Sequence, residues 1–404
     1  MHPSSAFVLA LSAALLAQKP GKPEPVDAFT DPFTKNDAAE LKALGYERIG
    51  QFLWLGETGT AQVQQILGDD TAIFIETAHF KLAVTLRGFA WPKEKEWRDG
   101  LTAELDQLAA RSAAFKIKPK WISPWLRAHL YAQRLERLYA EFVRALAIDE
   151  SKFPKARGSK RTADYLGEGP YLGQPNKFLV VLAHKALSAG TYTRTLHGVA
   201  ATDTVRHNHV VEGSLAVVTS AEFADKALFD DRKLHCHVVY TVVHNLLDGY
   251  RFYAHPTPAW LSEGLSLWFS RPIDDEFLNF SGTDTTGSTV LKAHEWARRV
   301  RLRVDNDVWP KADDLCALMD ARKLDFVSNM MAWSRVDFLL TTAPDKFAAF
   351  VAQMKAPVIN EARQPTAEEL VQRQTEALRA ALGYDAAAFD TAWVGFVRER
   401  YPKK

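Results

Sequence analysis

The sequence predicts an α+β fold, with an α/β subdomain followed by a mainly helical C-terminal subdomain, and three observations carry that prediction. Residues 176–183 (NKFLVVLA) and 214–219 (SLAVVT) read as buried strands with a helix-like stretch between them, the alternation expected of an α/β unit. From Asp231 onward nearly every segment has helical rather than strand character. The 404 residues are 47% hydrophobic and 25% charged, which is enough apolar side chain for a sizeable core and excludes wholesale disorder.

Taken in chain order, residues 6–17 form an apolar run followed by Gln18-Lys19-Pro20-Gly21, the pattern of a signal-peptide core with its cleavage zone, although Met1–Ser5 contains no Lys or Arg. Residues 1–19 are therefore expected to be a signal peptide and the mature protein to be extracytoplasmic, secreted or periplasmic. The run is too short to span a bilayer, and no later segment is apolar enough to do so. Residues 20–70 read as a linker and N-terminal segment, rich in Pro, Asp, Lys and Thr over 20–35, with no fold assigned. Residues 71–86 carry β-branched and apolar stretches around Glu76-Thr77-Ala78-His79 and predict a pair of strands or one bent strand. Leucines at three-and-four spacing predict amphipathic helices over 97–111 and 124–148. The basic, Gly- and Pro-containing stretch 151–160 reads as a solvated loop. Further helices are expected over 236–247, 258–269, 288–304, 326–341, 346–354, 367–382 and 386–398. An α/β region over 71–270 and a helical subdomain over 271–404 follow, without internal repeats.

Fifty basic against 49 acidic residues leave a net charge of +1, so no overall field favours nucleic acid or an anionic membrane. Cys236 and Cys316 are the only cysteines. They exclude a disulfide-rich scaffold and form no Cys-x-x-Cys pair; Cys236 falls within an expected helix and reads as a buried thiol rather than half of a disulfide. Neither a Gly-x-Ser-x-Gly nucleophile turn nor a phosphate-binding loop is present.

The most informative stretch is 242–269. His237, His244 and Asp248 stand at i, i+7 and i+11 and share one face of the expected helix, so a polar stripe crosses an otherwise apolar element. After a short loop comes Trp260-Leu261-Ser262-Glu263-Gly264, which sets a carboxylate on a second helix. The pair of elements resembles the gluzincins, in particular the peptidase MA-like metallopeptidases, in which His-Glu-x-x-His on one helix supplies two zinc ligands and a general base, and W-x-x-E-G on the next supplies the third ligand. Glu76–Phe80, Asn176–Val180, Gly383-Tyr384-Asp385 and Trp393 are similar to further parts of that family, so that the resemblance covers about 70–400. It implies a zincin-like fold.

Carried over residue by residue, the resemblance makes His244, Asp248 and Glu263 the candidate metal ligands. Asp248 stands in place of the second His, and Asn245 occupies the position of the lost general base. A second register makes His244 the second ligand and puts Tyr240 at the first ligand and Thr241 at the base. In both registers the base is gone, and an amide or a threonine hydroxyl in its place implies a loss of at least about 10²–10⁴-fold in peptidase chemistry. Glu212 and Asp248 are the carboxylates that could substitute. His237 and Trp260 are expected to border the cleft. The implied cofactor is zinc or none. The resulting expectation is a catalytically inactive relative that binds a peptide, protein or glycan in the old cleft; the alternative is an active zinc-dependent hydrolase with an atypical His-Asp-Glu site. Separately, His207 with His209 and His235 with His237 repeat a His-x-His spacing that could build a different metal site, whereas His184, His197 and His255 form no constellation.

Overall fold

The computed structural model describes residues 29–403 apart from 69, 158–163, 253–255, 280–294 and 358–364. The expected signal peptide, His255 and the first part of the helix expected over 288–304 lie outside the described residues. The chain is a mixed α/β protein with a six-stranded mixed sheet and a helical C-terminal part.

The N-terminal segment is structured. Residues 29–36 dock through Asp31, a buried carboxylate 3.2 Å from His129 Nε2. Helix α1 (Ala38–Leu44) is capped by Asp37, which accepts from the backbone of Ala39 and Glu40, and is closed by Gly45 at φ 79°, a left-handed position that glycine adopts without strain. Then come strand β1 (Tyr46–Ile49), the hairpin of β2 (Leu53–Leu55) and β3 (Thr58–Gly59), and helix α2 (Thr60–Leu67). Linker-like composition conceals these elements because they are short and β1 buries only its two end residues.

The stretch predicted as one or two strands is a hairpin, β4 (Ile73–Thr77) and β5 (Phe80–Val84). A two-residue pairing of β6 (Phe89–Ala90) with β7 (Trp121–Ile122) brackets α3 (Lys95–Arg111), and α4 (Pro124–Ala145) follows with Ser123 as cap and Pro124 at its first turn. The two expected core strands are present as β8 (Phe178–Ala183) and β10 (Ser214–Ser220), with α5 (Ala186–His197) and strand β9 (Val205–His209) between them. Strand order is β1-β4-β5-β8-β10-β9; β5, β8 and β10 run parallel, and β9 is an antiparallel edge. β8 and β10 are buried at every position, as strands covered on both faces must be.

Helix α6 (Asp231–Gly249) packs on β10, α4 and α7 (Ala259–Ser270). Its N-terminus is fixed by Asp231, fully buried and paired with Arg127 at 2.8 Å and Arg134 at 3.0 Å from α4. The rest of the chain is helical: α8 (Trp296–Asp305), α9 (Ala312–Ala317), α10 (Phe326–Thr342), α11 (Pro344–Met354), α12 (Ala367–Ala377), a π turn (Leu378–Leu382) and α13 (Ala386–Arg400). α7 lies so close to α10 that a Cβ on Gly264 would stand 2.6 Å from the Ala332 carbonyl oxygen. The glycine of the Trp-Leu-Ser-Glu-Gly element is therefore a packing requirement. No helix among the described residues is long and apolar enough to cross a membrane.

Candidate functional site

A cleft of about 700 Å³ opens between β9, α6 and α7. Residues 237, 240, 241, 244 and 248 repeat at three, four and seven along α6 and so share one face, and that face is the cleft floor. Thr204 and Arg206 enter from the β9 segment, while Ser262 and Glu263 come from the first turns of α7. Helix α6 is buried on nearly all sides, so each polar group on its cleft face must find a partner or bear the cost of going without one.

Glu263 is the centre of the arrangement. Its Oε2 accepts a 2.5 Å hydrogen bond from the Tyr240 hydroxyl, and its Oε1 lies 3.6 Å from His244 Nε2. The other imidazole nitrogen, Nδ1, is 2.6 Å from Ser262 Oγ. Burial raises the Glu263 carboxyl to about 7, partly offset by the Tyr240 hydrogen bond and by Arg206. Burial, and after it Arg206, hold His244 well below the usual histidine range. The 3.6 Å approach would suggest an ion pair from distance alone. Because burial keeps the imidazole neutral, it is instead a contact between a neutral ring and a carboxyl that burial shifts toward its protonated form.

His237 is partly buried, and loss of solvent around the ring lowers its pKa; its Nδ1 stands 2.8 Å from Asn279 Oδ1 and its Nε2 2.7 Å from Thr204 Oγ1. A neutral ring protonated at Nδ1 satisfies both contacts. Thr241 donates back to the His237 and Val238 carbonyls of its own helix at 2.9 and 3.1 Å.

Of the residues predicted for the site, His237, His244, Asp248 and Glu263 line this cleft. Asp248 accepts a 2.7 Å hydrogen bond from Arg206, an ion pair one turn of helix beyond His244. Asn245 is buried away from the cleft, with neither side-chain polar atom hydrogen-bonded. Trp260, expected at the rim, is in the helical core: it is 1% exposed, stacks on Phe350 and donates to Gln374 at 2.8 Å. Glu212 lines a separate hollow with Lys81 and Lys177. The residues that face Glu263 are thus Tyr240 and His244, with Thr241 beside them, which is the second of the two registers. Thr204 and Arg206 went unnoticed in the sequence because Val-Arg-His-Asn-His lacks the apolar alternation that marks a strand.

Among the described residues, no three His, Cys, Asp or Glu side chains stand so as to hold a metal ion. The cleft residues fit zinc poorly. Around Glu263 stand one imidazole, His244, a phenol, Tyr240, already hydrogen-bonded to that carboxylate, and a hydroxyl, Thr241, bonded to its own helix. No family model matches the chain, and no curated protein or solved structure shows significant similarity to it.

Proposed function

We propose that this is an extracytoplasmic protein of gluzincin-like, peptidase MA-like fold that has lost peptidase chemistry and uses the cleft to bind a peptide, protein or glycan. The observation that carries the reading is the 2.5 Å hydrogen bond from Tyr240 to Glu263. In a zinc peptidase of this family the metal would lie against that carboxylate, and the chain sets a neutral hydroxyl donor against it instead. Burial raises that carboxyl toward protonation, which weakens its attraction for a cation.

The cleft walls suit recognition. Phe277, Leu278 and Met319 supply apolar surface, the Arg206–Asp248 pair supplies charge, and Thr204 and Ser262 supply hydroxyls. β9 is the last strand of the sheet, and a strand edge beside a pocket is where an extended peptide can add main-chain hydrogen bonds.

Metal content measured by mass spectrometry on the mature chain and on Glu263→Ala tests the proposal. The two are expected to hold the same amount of zinc, with none that depends on Glu263. The rebuilt variant Tyr240→His with Thr241→Glu is expected to gain one zinc per chain, because it restores three ligands and the base on the face that already points at Glu263. One zinc in the wild type that disappears with Glu263→Ala would replace the proposal with an active metallohydrolase.

A further inference from the structure

Behind the cleft, β9 carries a second cluster. Alternation along the strand sends Arg206 toward Asp248 and sends His207 and His209 to the opposite face. There they meet His197, the last residue of α5, placed by the left-handed turn at Gly198. His197 and His207 lie face to face with ring centres 4.3 Å apart and planes 7° apart; His209 stands edge-on to both, at 4.8 and 4.7 Å. Tyr192 covers His197 edge-on at 5.4 Å, and Glu212 is the charged group acting on His209.

His197 is 9% and His209 7% exposed, yet neither nitrogen of His197 nor Nε2 of His209 has a hydrogen-bond partner. An imidazole must carry an N–H or a bare lone pair at each nitrogen, so these are buried polar atoms that hydrophobic packing does not explain.

We infer that His197, His207 and His209 form a site for a divalent transition-metal ion of the zinc type. Three neutral imidazoles without thiolate suit Zn²⁺, Cu²⁺ or Ni²⁺ and not Mg²⁺ or Ca²⁺. Rings that each reach an ion at about 2.0–2.1 Å stand about 5 Å apart centre to centre, close to the separations seen here. Parallel rings cannot both aim a nitrogen at one ion, and the three do not converge as they stand. Binding therefore includes rotation of His197 out of its stack on His207. The unpartnered nitrogens become ligands in that step. The inference is independent of the function proposed for the cleft, since Glu263 takes no part in it.

Zinc titration of the untagged mature chain, followed by calorimetry and native mass spectrometry, tests it. One Zn²⁺ is expected in the wild type and in Glu263→Ala, and His207→Ala, which alters the most exposed ring of the three, is expected to weaken binding at least about tenfold, the smallest loss seen even for residues that only support a ligand. An ion that vanishes with Glu263→Ala belongs to the cleft and would overturn the cleft proposal instead. ¹⁵N-histidine spectra of the wild type need no variant: zinc should shift the ring nitrogens of three histidines. Absence of zinc binding, binding unchanged in His207→Ala, or spectra in which these rings do not move would each overturn the site.

Discussion

At the scale of the residue, Glu263 and the buried histidines pull stability in opposite directions with pH. The Glu263 carboxyl is raised from 4.5 to about 7, so its contribution to the fold is complete below about 4.5 and is lost as pH rises through 7. His197 and His209 are lowered from 6.5, to about 3 and about 4, so the unfolded chain takes up protons first and stability falls as pH drops from 6.5 toward 4. Glu263→Gln keeps the shape and removes the titration. Thermal unfolding should show it more stable than the wild type at pH 8, by up to about 3 kcal/mol, and no more stable at pH 5. An equal effect at both pH values would mean that Glu263 is ionised in the fold throughout. Tyr240→Phe deletes the hydroxyl that donates to Glu263 Oε2 and should cost about 1–3 kcal/mol, read from the denaturation midpoint. His244 and Glu263 could be picked out from the sequence as a pair, because helix periodicity and the Trp-Leu-Ser-Glu-Gly stretch are local patterns. Tyr240 could not be set above Asp248, since that choice depends on how α6 is rotated toward α7.

At the scale of the element, the long helices α3, α4, α6, α7, α10 and α13 and the strands β8 and β10 all follow patterns visible in the sequence. Each has either apolar residues at three-and-four spacing or an uninterrupted apolar run. The elements that escape notice lack both. β1 buries only Tyr46 and Ile49, β9 is polar at four of five positions, and α9 is a six-residue helix. Two element contacts can be tested directly. Gly264→Ala would put a methyl group 2.6 Å from the Ala332 carbonyl and force α7 away from α10, with an expected loss of about 1–3 kcal/mol in chemical denaturation. Asp231→Ala would leave Arg127 buried without its carboxylate and should destabilise by about 3–5 kcal/mol, since removing one partner of a buried pair strands the other charge. A loss well below 1 kcal/mol in that variant would place Arg127 in water and the N-terminus of α6 outside the core.

At the scale of the whole molecule, Cys236 sits on α6 and Cys316 on α9, both buried as free thiols that burial pushes up to about 12. A thiol reagent should therefore label neither at an appreciable rate in the native protein and both after unfolding; a native protein with no titratable thiol even in denaturant would show a disulfide. The sequence alone determined the mixed α/β class, the order of the principal elements and the presence of a His-and-Glu helix pair, because each is written in spacing along one segment. Tertiary structure alone decided that Tyr240 and not Asp248 meets Glu263, that Trp260 belongs to the core, that residues 29–67 are folded onto the sheet, and that His197 joins His207 and His209. The physical reason is common to all four. Each depends on the rotation of one element against another, and that rotation is set by packing between residues distant in sequence: Arg206 drawing off Asp248 across 42 positions, and Gly264 letting α7 settle on α10.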